Sequence, residues 1–176
     1  VSVENKFEGD DRRDCVLQIG IAPTKNNNRL EWFLEKATEI GIDTITPLIC
    51  AHSERKEVKI DRLNKVITAA VKQSLKSFHP TLEHQQQFNS FIKKHFDGQK
   101  FIAYVDNENN LSLAKAYLPG NNALVLIGPE GDFSPEEIEL AKKNGFIPIN
   151  LGKSRLRTET AGVVACNTIN LMNSFK

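Results

Sequence analysis

Two short stretches hold the residues whose types and spacing could do chemistry. The first, Gly128-Pro129-Glu130-Gly131-Asp132-Phe133-Ser134, follows the apolar run Leu124-Val125-Leu126-Ile127. Its glycines free the backbone for tight turns and close ligand approach, and Pro129 stiffens the turn between them. Main-chain groups presented this way can grip a small molecule. Glu130, Asp132, Glu136 and Glu137 would repel a pyrophosphate, so a ligand with an adenine ring and a positive centre suits this acidic turn better. The second stretch is Leu151-Gly152-Lys153-Ser154-Arg155-Leu156-Arg157-Thr158-Glu159-Thr160-Ala161. Lys153, Arg155 and Arg157 alternate along a short extended loop before Glu159 and Thr160 open a helix. Either these cations are merely solvated, or Arg155 or Arg157 holds a polyanion or an anionic transition state. A Cβ added at Gly128 or Gly152 is expected to clash and abolish ligand binding while the fold survives.

Other chemistries find little to work with. There is no GxxxxGK[ST], GxGxxG or GxSxG motif. His52, His79, His84 and His95 are scattered, and no metal site is expected. Cys15, Cys50 and Cys166 form no CxxC pattern and read as buried free thiols. A net charge of +1 argues against a generic polyanion binder. Between residues 51 and 76, however, Arg55, Lys56, Lys59, Arg62, Lys65, Lys72 and Lys76 outnumber Glu54, Glu57 and Asp61. That segment either contacts phosphates or forms a solvated helix face. With no apolar run of membrane-spanning length and no signal peptide, a cytoplasmic protein is expected.

The elements that must position these residues alternate. Hydrophobic spacing predicts strands over 15–22, 44–50, 101–105, 123–127 and 146–150. It predicts helices over 29–40, 61–78, 88–96, 111–118 and 158–174, with Asp61 capping the second. One more helix follows Ser134, which makes a capping box with Glu137, with Pro135 at the first helical position and Gly145 at the end. Pro47 interrupts the second strand and argues for an edge or a bulge. The alternation implies an α/β fold, a mostly parallel sheet with helices on both faces. Both chemical stretches then leave the sheet at its carboxyl edge, where open α/β folds bind ligands.

Together, residues 127–137 and 151–161, in this order and in a strand–turn–helix setting, resemble the bacterial 16S ribosomal RNA (uracil-N3) methyltransferase family, the RsmE type of the SPOUT superfamily. The similarity extends upstream to Lys25, Glu39-Ile40-Gly41, Arg55, Gln73-Ser74 and Pro80, and covers residues 16–174. It departs at Asp132, where the family's second glycine usually stands, and at Lys72, where a Glu usually does.

The resemblance implies a SPOUT-type fold with a C-terminal trefoil knot, a homodimer and S-adenosylmethionine as cofactor. It implies three cofactor loops: Tyr104 and Val105; Ile127, Gly128, Pro129, Glu130 and Gly131; and Leu151, Gly152 and Leu156, with Thr160 beyond. Arg157 and Glu159 are the expected catalytic residues. Arg29, Lys36, Arg55, Arg62 and Arg155 are the expected contacts to 16S ribosomal RNA within the small ribosomal subunit. Residues 1–14 are expected to be the tail of a largely absent PUA-like RNA-binding domain, or a linker, and residues 15–176 the methyltransferase domain. A ribose hydroxyl as acceptor, or a non-catalytic ribosome-binding module, remain the alternatives.

Overall fold

A computed structural model of the chain describes residues 14–104 and 111–175. Val105 and nearly all of the expected N-terminal tail lie outside the described residues. The elements run β1 (Leu17–Ile21), α1 (Asn27–Ile40), β2 (Thr44–Ile49), α2 (Ile60–Gln73), β3 (Thr81–Leu82), β4 (Gln86–Gln87) and α3 (Phe88–Phe91). They continue β5 (Gln99–Ala103), α4 (Leu113–Ala116), β6 (Ala123–Ile127), α5 (Pro135–Lys143), β7 (Ile147–Ile149) and α6 (Thr158–Ser174). Every strand pairing is parallel, in the order β3-β2-β1-β6-β5-β7, with β4 also against β2.

A parallel sheet is covered on both faces, so its central strands are largely apolar, and all five residues of β6 are buried. Alternation sorts them. Leu17, Ile19, Ile21, Val125, Ile127 and Phe101 face Leu30, Phe33 and Leu34 of α1, Leu63 and Ile67 of α2, and Ala165, Cys166 and Ile169 of α6. Leu48, Ile102, Leu124 and Leu126 face Phe88 and Phe91 of α3 and Ala141 of α5. The expected α/β architecture with helices on both faces is therefore present.

Several boundaries differ from the expectation. Lys59, not Asp61, is the N-cap of α2, and Asp61 sits in the first turn where its charge suits the helix dipole. The helix ends at Gln73 rather than near Phe78. Leu75 adopts φ +55° and Lys76 N donates to Val71 O at 3.1 Å, a Schellman-type ending. That position usually holds glycine, so no sequence signal announced it. Expected helix 88–96 shrinks to Phe88–Phe91: Phe88, Phe91 and Ile92 are buried, Lys93, Lys94 and His95 are exposed, and Phe96 packs against the core from outside the helix. Expected helix 111–118 shrinks to Leu113–Ala116. Tyr117 turns into the core in an extended conformation, ahead of Leu118, whose helical conformation Pro119 disfavours. Pro47 lies on an interior strand, not an edge, but in the gap between β3 and β4 along β2. The capping box of α5 is present: Glu137 N donates to Ser134 Oγ at 3.2 Å and Ser134 N to Glu137 Oε2 at 3.0 Å.

α6 packs directly on α1 and β1, and Gly162 sets the approach. A Cβ there would lie 2.6 Å from Phe33 Cε2 and 3.0 Å from Ile21 Cδ1, both in fully buried side chains. Gly162→Ala is expected to lower stability by about 1–3 kcal/mol through overpacking. Denaturant unfolding checks this, and an unchanged midpoint would mean that α6 can slide outward at no cost.

Candidate functional site

Because β6, β5 and β7 are parallel neighbours, the turns after all three leave the same edge. Between them lies a cavity of about 750 Å³, within the range of small-molecule sites. Ala103, Tyr104, Ile127, Gly128 and Pro129 line it at the ends of β5 and β6, and Leu151, Leu156 and Ala161 add apolar wall. Glu130 and Asp132 are its acids; Lys115, Lys153, Arg155 and Arg157 are its cations. None of these four cations forms an ion pair with another described residue.

The turn after β6 is held from several sides. Asp132 N donates to Pro129 O at 2.9 Å, and Phe133 N donates to Asp132 Oδ1 at 2.8 Å. Phe133 tucks against Phe88, with ring centroids 5.4 Å apart. His52 Nδ1 donates toward the carbonyls of Gly131 and Asp132, at 3.2 and 3.0 Å. Glu130 Oε1 accepts from Lys25 N at 3.1 Å, tying this turn to the loop after β1. Arg55 braces the same loop by donating to Thr24 O at 3.2 Å and Lys25 O at 2.8 Å. Glu137, besides capping α5, accepts from Ala51 N at 2.8 Å.

The second stretch is anchored at both ends. Asn150 N donates to Leu111 O and Leu113 N to Asn150 O, at 2.9 and 3.0 Å. At the far end Thr158 Oγ1 donates to Gly128 O at 3.1 Å in a buried contact. Arg157, the N-cap of α6, is exposed and lines the cavity. Glu159 is buried at 6% exposure and does not line it. Its Oε1 lies 3.7 Å from Arg29 Nε, while Oε2 has no hydrogen-bond partner. Arg157 and Glu159 thus do not pair with each other.

The other expected residues divide. Tyr104, Ile127, Gly128, Pro129, Glu130, Leu151, Gly152 and Leu156 come together around the cavity; Gly131 and Thr160 do not line it. The two glycines of the expected clash have different surroundings. At Gly152 a Cβ meets nothing within 4 Å, and the constraint is φ +121°. At Gly128 the Cβ would sit 3.1 Å from the Phe133 ring, inside the protein rather than against a ligand. Of the five expected RNA contacts only Arg155 lines the cavity. Arg62 pairs with Glu31 at 2.6 Å. Lys36 pairs with Glu35 and Glu39 at 2.7 and 3.0 Å, and its hydrogen bond to Glu35 leads in raising its pKa. Ser112, Lys115 and Asn150 also line the cavity and were missed. Asn150 could have been found as the residue ending a strand; nothing in the sequence marks Lys115.

A second cavity of about 490 Å³ lies on the other face, lined by Phe88, Ser134, Glu136 and Cys50 among others. Burial pushes the Cys50 thiol pKa far up, so it stays protonated and unreactive at neutral pH. Among the described residues no group of three or more His, Cys, Asp or Glu is placed to hold a metal ion. No helix among them is long and apolar enough to cross a membrane.

Residues 12–170 match the family described as RNA methyltransferase domain. Ribosomal RNA small subunit methyltransferase E of Mesomycoplasma hyopneumoniae is 30% identical over 167 residues, covering 90% of this chain and 70% of that one. The chain belongs to this RNA methyltransferase family. Among solved structures, a Porphyromonas gingivalis protein described as a probable rRNA-methyltransferase is 42% identical with a TM-score of 0.86, covering 92% of this chain and 69% of its own. A Legionella pneumophila protein solved with bound SAM is 27% identical with a TM-score of 0.82, covering 90% and 66%. The chain spans about two thirds of the length of the relatives it matches.

Resemblance to the RsmE type puts a glycine where Asp132 stands, and the backbone explains why: Asp132 has φ +63°. Aspartate tolerates this left-handed region better than most residues. Asp132→Gly is expected to change stability by less than about 1 kcal/mol, while Asp132→Val costs about 1–2 kcal/mol. Equal unfolding midpoints for the two variants would show that the turn relaxes out of this conformation.

Proposed function

We propose that this chain is an S-adenosylmethionine-dependent methyltransferase that modifies uridine N3 of 16S ribosomal RNA in the small subunit. The observation that carries the reading is the cavity where three parallel strand ends meet, with main chain on one side and a cationic loop on the other. The family membership and the SAM bound to the Legionella relative support it. Tyr104, Ile127 to Pro129, Leu151, Gly152 and Leu156 would hold the cofactor. Its fit is supported by acids and cations on the same cavity, which suit a ligand carrying both signs of charge.

When bound, S-adenosylmethionine supplies an electrophilic methyl group on a sulfonium centre. Uridine N3 must lose its imide proton to attack it. The exposed guanidinium of Arg157, on the cavity wall, would stabilise the resulting negative charge on uracil. Leu151 and Leu156 keep water from the cofactor. Glu159, buried behind the wall against Arg29, suits orientation of the α6 start better than proton transfer. Arg155, Lys153 and the lysines of the basic segment are the proposed phosphate contacts, while Arg55 and Arg62 are already held by Thr24, Lys25 and Glu31.

We infer that the C-terminal segment after β7 threads the trefoil knot of the SPOUT fold. The pairing of Ser112 with Asn150 and the Thr158–Gly128 bond support that path. A homodimer through α1 and α6 is supported by exposed Trp32, Leu171 and Phe175 on two helices that pack together. Its place of action would be the cytoplasm, where small subunits are.

Calorimetry with S-adenosylmethionine and nucleoside mass spectrometry of treated small subunits test the function. N3-methyluridine is the expected product; a 2′-O-methylated ribose would redirect the acceptor, and no cofactor binding would remove the assignment. Arg157→Ala is expected to slow single-turnover methylation about a hundredfold or more with little change in cofactor affinity. Glu159→Gln should slow it less and lower the unfolding midpoint. Unchanged turnover in Arg157→Ala would make this arginine structural.

A further inference from the structure

The two acids of the cavity and two of its lysines stand at the ends of different strands. Glu130 and Asp132 sit on the turn after β6, and Thr158 brings Arg157 to the same side through its bond to Gly128. β5 separates this side from β7. On the β7 side stand Lys115 and, on the loop after β7, Lys153. The two lysines are held differently. Lys153 follows Gly152 on an exposed loop. Lys115 rides on α4, whose start is bound to the end of β7 through Leu113 N to Asn150 O at 3.0 Å and Asn150 N to Leu111 O at 2.9 Å. Leu113 and Tyr117 on either side of it are buried at 1% and 2% exposure. Its ammonium therefore extends from a fixed backbone, and no ion pair with another described residue holds it.

We propose that Lys115 binds the carboxylate of the cofactor's methionyl tail and makes the cavity selective for the intact amino acid. This rests on the reading of the cavity as an S-adenosylmethionine site. That ligand is cationic at its sulfonium and amino groups and anionic at one carboxylate. A cavity with its two acids on one side, beside Arg157, and an anchored ammonium on the other favours such a molecule in one direction. Reversed, it would place the carboxylate against Glu130 and Asp132, which like-charge repulsion disfavours, and leave the lysine facing the uncharged adenosine. Fixing the direction also fixes where the methyl group points, and Arg157 lies on the other side, free for the acceptor base.

The test compares S-adenosylmethionine with its decarboxylated analogue, which keeps the sulfonium and the amine, by calorimetry on the wild-type protein and on Lys115→Met. The wild type is expected to bind S-adenosylmethionine about tenfold more tightly than the analogue, as a hydrogen bond to a charged group allows. Lys115→Met should lose that tenfold for S-adenosylmethionine and bind the analogue as well as, or better than, the wild type does. Its unfolding midpoint should match the wild type, since the Lys115 side chain is exposed and pairs with no carboxylate among the described residues. Equal loss for both ligands, or no loss for either, would overturn the assignment. Unchanged cofactor affinity with weaker RNA binding would overturn it too, by moving Lys115 to a phosphate. A wild type that binds neither ligand would instead sink the cofactor reading itself.

Discussion

One buried hydrogen bond, from Thr158 Oγ1 to the carbonyl of Gly128, joins the two stretches on which the site is built. It connects the first turn of the last helix to the turn after a central strand, 30 residues apart in sequence. Without it the loop from 150 to 157 would be held by Asn150 and by the packing of α6, with no direct tie between the cationic wall and the Gly128 turn. With it the wall has that tie as well, and Gly162 four residues on presses α6 against Phe33 and Ile21. The constraint is mutual: the Gly128 carbonyl, at the cavity, has its donor from the protein rather than from a ligand.

Much of this was legible in the sequence. Strand 123–127, helix 158–174 and the Ser134–Glu137 capping box stand where periodicity and capping chemistry put them. Such signals are local: an apolar face at one period, a hydroxyl three residues before a carboxylate. What was missed depended on partners far away in the chain. The end of α2 needed Leu75 in a conformation that leucine seldom adopts. α3 and α4 stop at Phe91 and Ala116, and Phe96 and Tyr117 reach the core from outside them.

The same distinction separates the readable part of the site from the rest. Turns at strand ends could be named from sequence, and most of their residues do meet at one cavity. The partners of individual charges could not be read. Glu159 turned inward to Arg29 rather than outward to Arg157. Arg55 spends its donors on two backbone carbonyls, so its charge braces a loop. A basic residue counted from sequence is a unit of charge; only its neighbours decide whether that charge is available.

The sheet order has a consequence for how the chain is made. β1, near the start of the described chain, pairs with β6 in the register Leu17 to Ala123, and β5 joins the sheet only through β6 and β7. The first strand must therefore wait for more than a hundred residues of later chain before its inner edge is covered. Until then that apolar edge is open to pairing with other molecules. Contacts this distant close slowly, because loop entropy is lost before they reward it. As the chain leaves the ribosome, β1 to α2 can gather early, but the edge that carries the cavity is among the last parts to exist.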